Sequence, residues 1–481
     1  MEHTPSFQLK NIALWVRTYR FEIALFVLAF AFRLSFVGLA SPADIALYGI
    51  GADGGDYANE ALNILEGRGF SRDTAPPYTP DAIRTPLYPL VLAGVHALFG
   101  SFLPIMFIQA FLAGFIPLIG LWIARMYIES RRVQWGIALF LALEPHLAFY
   151  TTFFASEGIS LPLLYAGLFS LLVWNTKGST KYLALSAFLL GLSALTRPIT
   201  FLFPLFLMSV LTLSLLHRGW REHARRAVRG LILFSIIFVA ILSPWLIRNY
   251  IHFGSGGMGT VGWFNVYTRL AATVRAMETK EDFYTSYHFV LDDLSTRGYV
   301  AHSPPVSERE IQDPRFGEIL KKESLRIISE HPRELIAFLA VAPISVITQD
   351  NILVIIETLT GVKPARPPFS PTLYVGQHGV IETIHALLPY IKGLYIIPYV
   401  GRMLWGAMFI LSCAGAYILW VRRERFAAAL LFCMILYIVA FSLNAGAQID
   451  GRYRTQFILC EAVLVGVALE RLLHIRKKRS V

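Results

Sequence analysis

Residues 22–57 read EIALFVLAFAFRLSFVGLASPADIALYGIGADGGDY. The first part, 22–40, is almost wholly apolar. A membrane-spanning helix needs about 20 such residues, so this stretch predicts a span. It runs directly into Gly51-Ala52-Asp53-Gly54-Gly55-Asp56-Tyr57. Glycines around two carboxylates let the backbone bend and bring an acid close to a ligand; a solvated acidic turn is the plainer alternative. The segment before the span carries Lys10, Arg17 and Arg20, and cytoplasmic loops are enriched in Lys and Arg. The N-terminus is therefore expected inside and the acidic loop outside. With no small-residue cleavage motif, the span reads as a full-length helix rather than a signal peptide.

Working outward, the 481 residues are 55% hydrophobic and 16% charged, against about 25% charged in soluble domains. That excludes a water-soluble enzyme, a disordered chain and a disulfide scaffold. The net charge of +11 sits in short loops between apolar runs, so membrane lipids rather than nucleic acid are the expected partners. Cys413, Cys433 and Cys460 lie inside apolar stretches, so neither a disulfide nor a zinc site is expected.

Residues 41–85 form an acidic, Pro-rich first loop. Residues 86–124, broken by Pro89, Gly100, Pro104 and Pro117, predict a short helix against the bundle and then one span. Further spans are expected near 133–150, 157–175, 181–196, 199–216, 230–247, 394–420, 426–443 and 453–473. Arg125, Arg131, Arg132, Lys177, Lys181, Arg422, Arg423, Arg425 and the tail Arg476–Arg479 mark the inner side, as does the cluster Arg218, Arg221, Arg225, Arg226 and Arg229. The polar stretch 249–334, with 12 acidic and 10 basic residues, predicts a second outer loop with helices of its own. Residues 335–360 predict an interfacial helix or hairpin, and 361–376 a loop. The expected organisation is an N-terminal transmembrane catalytic module over 1–248, an extracytoplasmic region over 249–334, and a C-terminal transmembrane module over 335–481 with an interfacial segment 335–395. The whole is an all-α polytopic membrane protein of about 10 spans, or 12 if 335–360 crosses twice, with no internal repeat of transporter type.

The ordered landmarks carry more. Asp53 stands four residues before Tyr57; a short helix ends in Gly67-Arg68-Gly69-Phe70; Arg84-Thr85-Pro86-Leu87-Tyr88-Pro89 enters the membrane. Ser156-Glu157 begins a span, Leu195-Thr196-Arg197-Pro198 joins two, Ser243–Tyr250 (SPWLIRNY) closes one, and Gly451-Arg452-Tyr453-Arg454 opens the last. Together these resemble the GT-C glycosyltransferases over roughly residues 20–475. Within that superfamily they are similar to family 39 and its relatives, the protein O-mannosyltransferases and the lipid A aminoarabinose transferase. The resemblance implies a GT-C-type bundle with two extracytoplasmic loop regions. It implies an inverting transfer of sugar from a polyprenyl-phosphate carrier to an acceptor hydroxyl of lipid A or lipopolysaccharide, a glycolipid, a wall polymer or a protein. The site would face the periplasm or cell exterior of a bacterial cytoplasmic membrane.

By that resemblance Asp53 is the candidate base, Asp56 an extra acid or the second of a pair, and Glu157 a further acid discussed in relatives as a metal or acceptor contact. No metal ligand set is expected, and no cofactor beyond a divalent cation that the sequence leaves open. The residue chemistry agrees independently. Transfer to a hydroxyl needs a base; a departing lipid phosphate needs cations, and the arginine fork suits phosphate oxygens. Arg84, Arg197, Arg248, Arg452 and Arg454 are all expected at the outer ends of spans, with Tyr57, Tyr88 and Asn249 beside them as substrate-binding candidates. Snorkelling from a helix end is the plain alternative for each arginine, and the first choice for Arg454. For Glu157 the alternative is an acid stabilised by the helix dipole. Glu144-Pro145-His146 predicts a kinked helix end. Gly254–Gly259 lacks the lysine and context of a phosphate loop and predicts a mobile segment. The rival functions are a transporter or flippase of lipid-linked sugars and an oligosaccharide ligase or polymerase.

Overall fold

The computed structural model describes residues 18–39, 52–215, 220–362, 366–393 and 396–479. The expectations placed on Lys10, Arg17, Asp44, Gly51 and Arg218 lie outside the described residues, as do those on the side chains of Arg221 and the tail Arg476–Arg479. Among the described residues every regular element is helical.

Six helices among the described residues are long and apolar enough to cross a membrane: Arg20–Leu39, Pro104–Tyr127, Glu157–Lys177, Ala224–Phe253, Ile396–Val421 and Arg425–Gln448. Pro314–Glu330 and Pro332–Thr348, bent by 95° at their junction, add a seventh if they count as one span. This is a multi-pass membrane protein. The other expected spans are helical too, but interrupted, shorter or more charged. The stretch 133–150 divides into Arg131–Leu143 and Pro145–Tyr150. Its break is the kinked end read from Glu144-Pro145-His146: Pro145 cannot donate a backbone hydrogen bond, and the Glu144 carboxylate caps the second helix by accepting from the His146 and Leu147 amides. Thr180–Thr196 and Phe203–Leu213 are apolar but under 18 residues. The last helix, Ile458–Arg479, carries Glu461 and Glu470. Residues 335–360 resolve into Pro332–Thr348, a turn at Asp350 and Asn351, and Ile352–Thr360.

Small residues draw the helices together, since lipid supplies no hydrophobic drive between them and close packing must. A Cβ on Gly167 would stand 2.6 Å from Leu190 Cγ, so Glu157–Lys177 and Thr180–Thr196 lie in close contact. Ser186 Oγ donates to the Gly167 carbonyl at 2.8 Å across that seam. A Cβ on Gly415 would collide with the Leu464 carbonyl oxygen, which sets Ile396–Val421 directly against Ile458–Arg479.

Two local expectations change. The glycine-rich segment around Asp53 is not a bent turn: Ala52–Leu65 is a helix that begins there. Positive backbone φ comes later, at Gly67 (72°) and Gly69 (86°), where the chain leaves the helix and glycine is the residue that adopts it without cost. The Gly254–Gly259 stretch is pinned rather than loose. Asn249 Nδ2 donates to the Gly257 carbonyl at 2.8 Å and Trp245 Nε1 to the Met258 carbonyl at 2.9 Å.

Candidate active site

In the Ala52–Leu65 helix, Asp53, Asp56, Tyr57 and Glu60 recur at helical spacing and share one face. Arg84, just before the Leu87–Phe99 helix, meets that face. Its Nη2 donates to Asp53 Oδ1 and Asp56 Oδ2, both at 2.8 Å, and its guanidinium lies 5.2 Å from the Tyr57 ring centroid. Arg452 comes from the 3₁₀ turn Gly451–Gln456. Its Nη1 donates to Asp53 Oδ2 at 2.9 Å, and its Nη2 to Glu157 Oε2 at 2.8 Å, with Nε bonded to Oε1. Glu157 opens its helix and is also held by Arg197 Nη1 at 2.5 Å. The result is a continuous alternating chain: Arg84, Asp53, Arg452, Glu157, Arg197.

Exposure separates the two acids. The Asp53 side chain is 32% exposed, whereas that of Glu157 is 0% exposed between its arginines. Asp53, and with it Asp56 at 23%, can meet a substrate without rearrangement, whereas Glu157 cannot. Burial alone would raise the Asp53 carboxyl, but the charges of Arg84 and Arg452 outweigh it and hold it well below the usual carboxylate range. Asp53 is therefore an anion at any physiological pH.

The supporting contacts explain the aromatic residues. Tyr57 OH donates to Ser156 Oγ at 3.3 Å, and Arg197 Nη1 reaches the same hydroxyl at 3.2 Å. Tyr88 packs edge-on to Tyr57 with centroids 4.8 Å apart and donates to Gln109 Oε1 at 2.8 Å. Gln109 in turn donates to the Thr152 and Phe153 carbonyls, and Gly158 leaves it room: a Cβ there would collide with the Gln109 side chain. Tyr88 is thus a buried brace for Tyr57 rather than a group open to substrate.

Asp53, Tyr57, Arg84, Glu157, Arg197 and Arg452 are brought together. Asp56 joins them through Arg84 and also accepts from Arg72 Nη1 at 3.1 Å. Arg72, which sequence reasoning missed, also bonds Asp81 and Gln312 Oε1 at 2.9 Å, tying the 41–85 segment to the 249–334 segment. Arg248 and Asn249 stand elsewhere. Arg248 Nη1 donates to the Asp81 carbonyl at 2.6 Å and to Asn249 Oδ1 at 2.9 Å, and it lies among Phe70, Trp245 and Phe253. Arg454 does not snorkel. It is buried, over the Trp405 ring at 4.1 Å, and donates to the Gln349 carbonyl at 2.6 Å. The same 3₁₀ turn therefore sends Arg452 to the acids and Arg454 to an internal clamp.

Among the described residues no three His, Cys, Asp or Glu side chains are grouped to hold a metal ion. The acids that a divalent cation would use are already engaged: Asp53 by two arginines and Glu157 by two. As arranged, these residues fit a cation poorly.

No protein-family model matches the sequence, and the search of curated proteins found no match. Solved structures are similar in fold. The apo crystal structure of the Archaeoglobus fulgidus oligosaccharyltransferase aligns with a TM-score of 0.51 at 14% identity, over 97% of this chain and 52% of that one. The chain has the GT-C fold. It spans about half the length of the archaeal protein. The archaeal oligosaccharyltransferase AglB in complex with an inhibitory peptide and a dolichol-phosphate gives 0.49 at 13% identity, with the same two coverages of 97% and 52%. ArnT from Cupriavidus metallidurans bound to undecaprenyl phosphate gives 0.40 at 13% identity, over 94% of this chain and 78% of that one. Within its GT-C fold, this chain gathers its arginines and acids from five separate segments, at 53–57, 84, 156–157, 197 and 452.

Proposed function

We propose that the protein is an inverting glycosyltransferase that moves a sugar from a polyprenyl-phosphate carrier to an acceptor hydroxyl. The acceptor is a lipid A or other glycolipid, a wall polymer or a protein, and the site faces the outside of a bacterial cytoplasmic membrane. The observation that carries the proposal is the half-open Asp53 carboxylate held between Arg84 and Arg452.

The chemistry follows from that pair. Both guanidiniums sit within reach of a phosphate entering beside Asp53, and charge-assisted bonds from arginine to phosphate oxygens are strong and directional. Phosphate binding shares the positive charge that now depresses the Asp53 carboxyl, which shifts its pKa upward and makes it a better base. The acceptor hydroxyl then gives its proton to Asp53 while its oxygen bonds the anomeric carbon. The carbon–phosphate oxygen bond breaks on the opposite side, its electron pair leaving with the polyprenyl phosphate held by the arginines. Attack opposite the leaving group inverts the anomeric carbon. Arg197 and Glu157 keep Arg452 in register, and a strong general acid is unnecessary because a phosphate diester linkage already departs as a stabilised anion.

The test is turnover by the purified full chain in detergent with a polyprenyl-phosphate sugar and cell-envelope glycolipid as acceptor. Release of free polyprenyl phosphate by the wild type, reduced about 10²–10⁴-fold in Asp53→Asn with donor binding kept, supports the reading. Intact lipid-linked sugar moved between leaflets without release would make the protein a flippase instead.

A further inference from the structure

The Glu157–Lys177 helix has 21 residues and so is about 30 Å long at 1.5 Å per residue. Its first residue belongs to the Asp53 site; its last turn borders a separate cavity of about 390 Å³ at the other end of the bundle. That volume lies within the roughly 300–1,000 Å³ of ligand clefts. Its apolar lining comes from Trp174, Leu183 and Leu233, of which Leu233 alone is more than marginally exposed, and its basic lining is Arg225, Arg226 and Arg229 of the Trp220–Phe253 helix.

The three arginines are not equivalent. Arg226 serves the fold: its Nη2 donates to the Trp174 carbonyl at 3.0 Å, closing the C-terminal turn of Glu157–Lys177, and its guanidinium lies 5.4 Å from the Trp174 ring centroid. Arg225 and Arg229 line the same cavity and are exposed, and among the described residues neither has an acidic partner. They are one helical turn apart, and like charges at that spacing repel. Thr180, at the start of the Thr180–Thr196 helix, adds a hydroxyl to the same cavity. Ser179 before it makes no side-chain cap, so first-turn backbone N–H groups are left for another acceptor. Nearby, Lys177 and Lys181 lie over the Tyr182 ring, the pairing of cation and aromatic typical of a membrane interface.

We infer that this cavity is a binding site for a phosphate-bearing anion, and specifically for the head group of an anionic phospholipid, at the membrane face opposite the Asp53 site. Two guanidiniums without an acidic partner among the described residues, beside the half-buried Leu233, match a phosphodiester joined to acyl chains; basic pockets between membrane helices bind such head groups. The free phosphate of a soluble ester shares the charge but has no use for the apolar Leu233 side chain that lines the cavity.

The full chain in neutral detergent is titrated with dioleoyl-phosphatidylglycerol and, separately, dioleoyl-phosphatidylcholine, and bound lipid is counted by native mass spectrometry. One phosphatidylglycerol should be retained, at least tenfold more tightly than by Arg225→Gln/Arg229→Gln, with phosphatidylcholine weaker. Thr180→Glu, an acid at a helix N-terminus that should fold well, should weaken binding by repulsion. Full displacement by millimolar inorganic phosphate would assign the site to a free phosphate instead of the lipid. Equal retention by wild type and both variants, or an equal loss in Arg131→Gln/Arg132→Gln away from the cavity, would overturn the inference.

Discussion

Arg452 spans the two acids of the site: Nη2 holds Glu157 Oε2 at 2.8 Å while Nη1 holds Asp53 Oδ2 at 2.9 Å. Glu157 is wholly buried, and removing one partner of a buried charge pair costs about 3–5 kcal/mol, here softened because Arg197 remains. Arg452→Gln should therefore lower the thermal unfolding midpoint in detergent and abolish transfer. Glu157→Gln/Arg452→Gln should recover much of the midpoint and none of the activity. Recovery of both would reduce Arg452 to a structural residue.

Arg84 and Arg248 should part company. Arg84→Lys keeps the charge but loses the fork, so apparent donor affinity should fall by about 1.5–3 kcal/mol for each charged hydrogen bond lost. Arg248→Ala breaks the contact to the Asp81 carbonyl and the packing on Trp245, and should lower thermal stability with donor affinity nearly unchanged. Donor titrations on both variants decide it; a donor defect in Arg248→Ala would bring that residue back to the binding site.

Transfer should survive chelation. The carboxylates of Asp53 and Glu157 already face two arginines each. Initial rates with and without EDTA should agree within about twofold. Loss with EDTA and recovery with a divalent cation would mean that the arginines move aside in the working enzyme.

Glu60 gives a pH signature. It is buried, and neither carboxylate oxygen makes a hydrogen bond among the described residues. Burial, reinforced by Asp81, pushes its carboxyl well above the usual range. The folded protein therefore holds this proton more tightly than the unfolded chain. The stability it contributes is complete below the unfolded pKa of about 4.3 and is lost as pH rises through the folded value. Glu60→Gln should flatten that decline in unfolding midpoint as pH rises above about 4.3. An unchanged slope would show Glu60 ionised in the fold.

Much of this was legible in the sequence because charge is costly beside a membrane and stands out there. Arg84, Glu157, Arg197 and Arg452 stand out as charges flanking apolar runs, whereas Asp53 and Tyr57 are singled out by the resemblance of their segment to the first loop of the GT-C glycosyltransferases. Arg72 was missed because its partners Asp81 and Gln312 are named only by tertiary contact, the latter 240 residues away. The pairing of Asp53-Gly54-Gly55-Asp56 with a helix was missed because two glycines usually argue against one; here Arg84 ties the two acids across the first turn. Arg454 was misjudged because a terminal arginine looks the same from sequence whether it turns out to water or, as here, inward to Gln349 and Trp405.

The Arg452–Glu157 contact joins residues 295 positions apart, and that separation is also an interval of time. At about 5–20 residues per second of synthesis, roughly 15–60 s pass between the ribosome's adding Glu157 and its adding Arg452. Once Arg197 has been added, about 2–8 s into that interval, the nascent chain can pair Glu157 with Arg197 and Asp53 with Arg84, but it cannot link the two pairs. Insertion thus yields the two pairs separately first, and the alternating chain is completed only when the segment carrying Arg452 folds back onto those carrying Asp53 and Glu157.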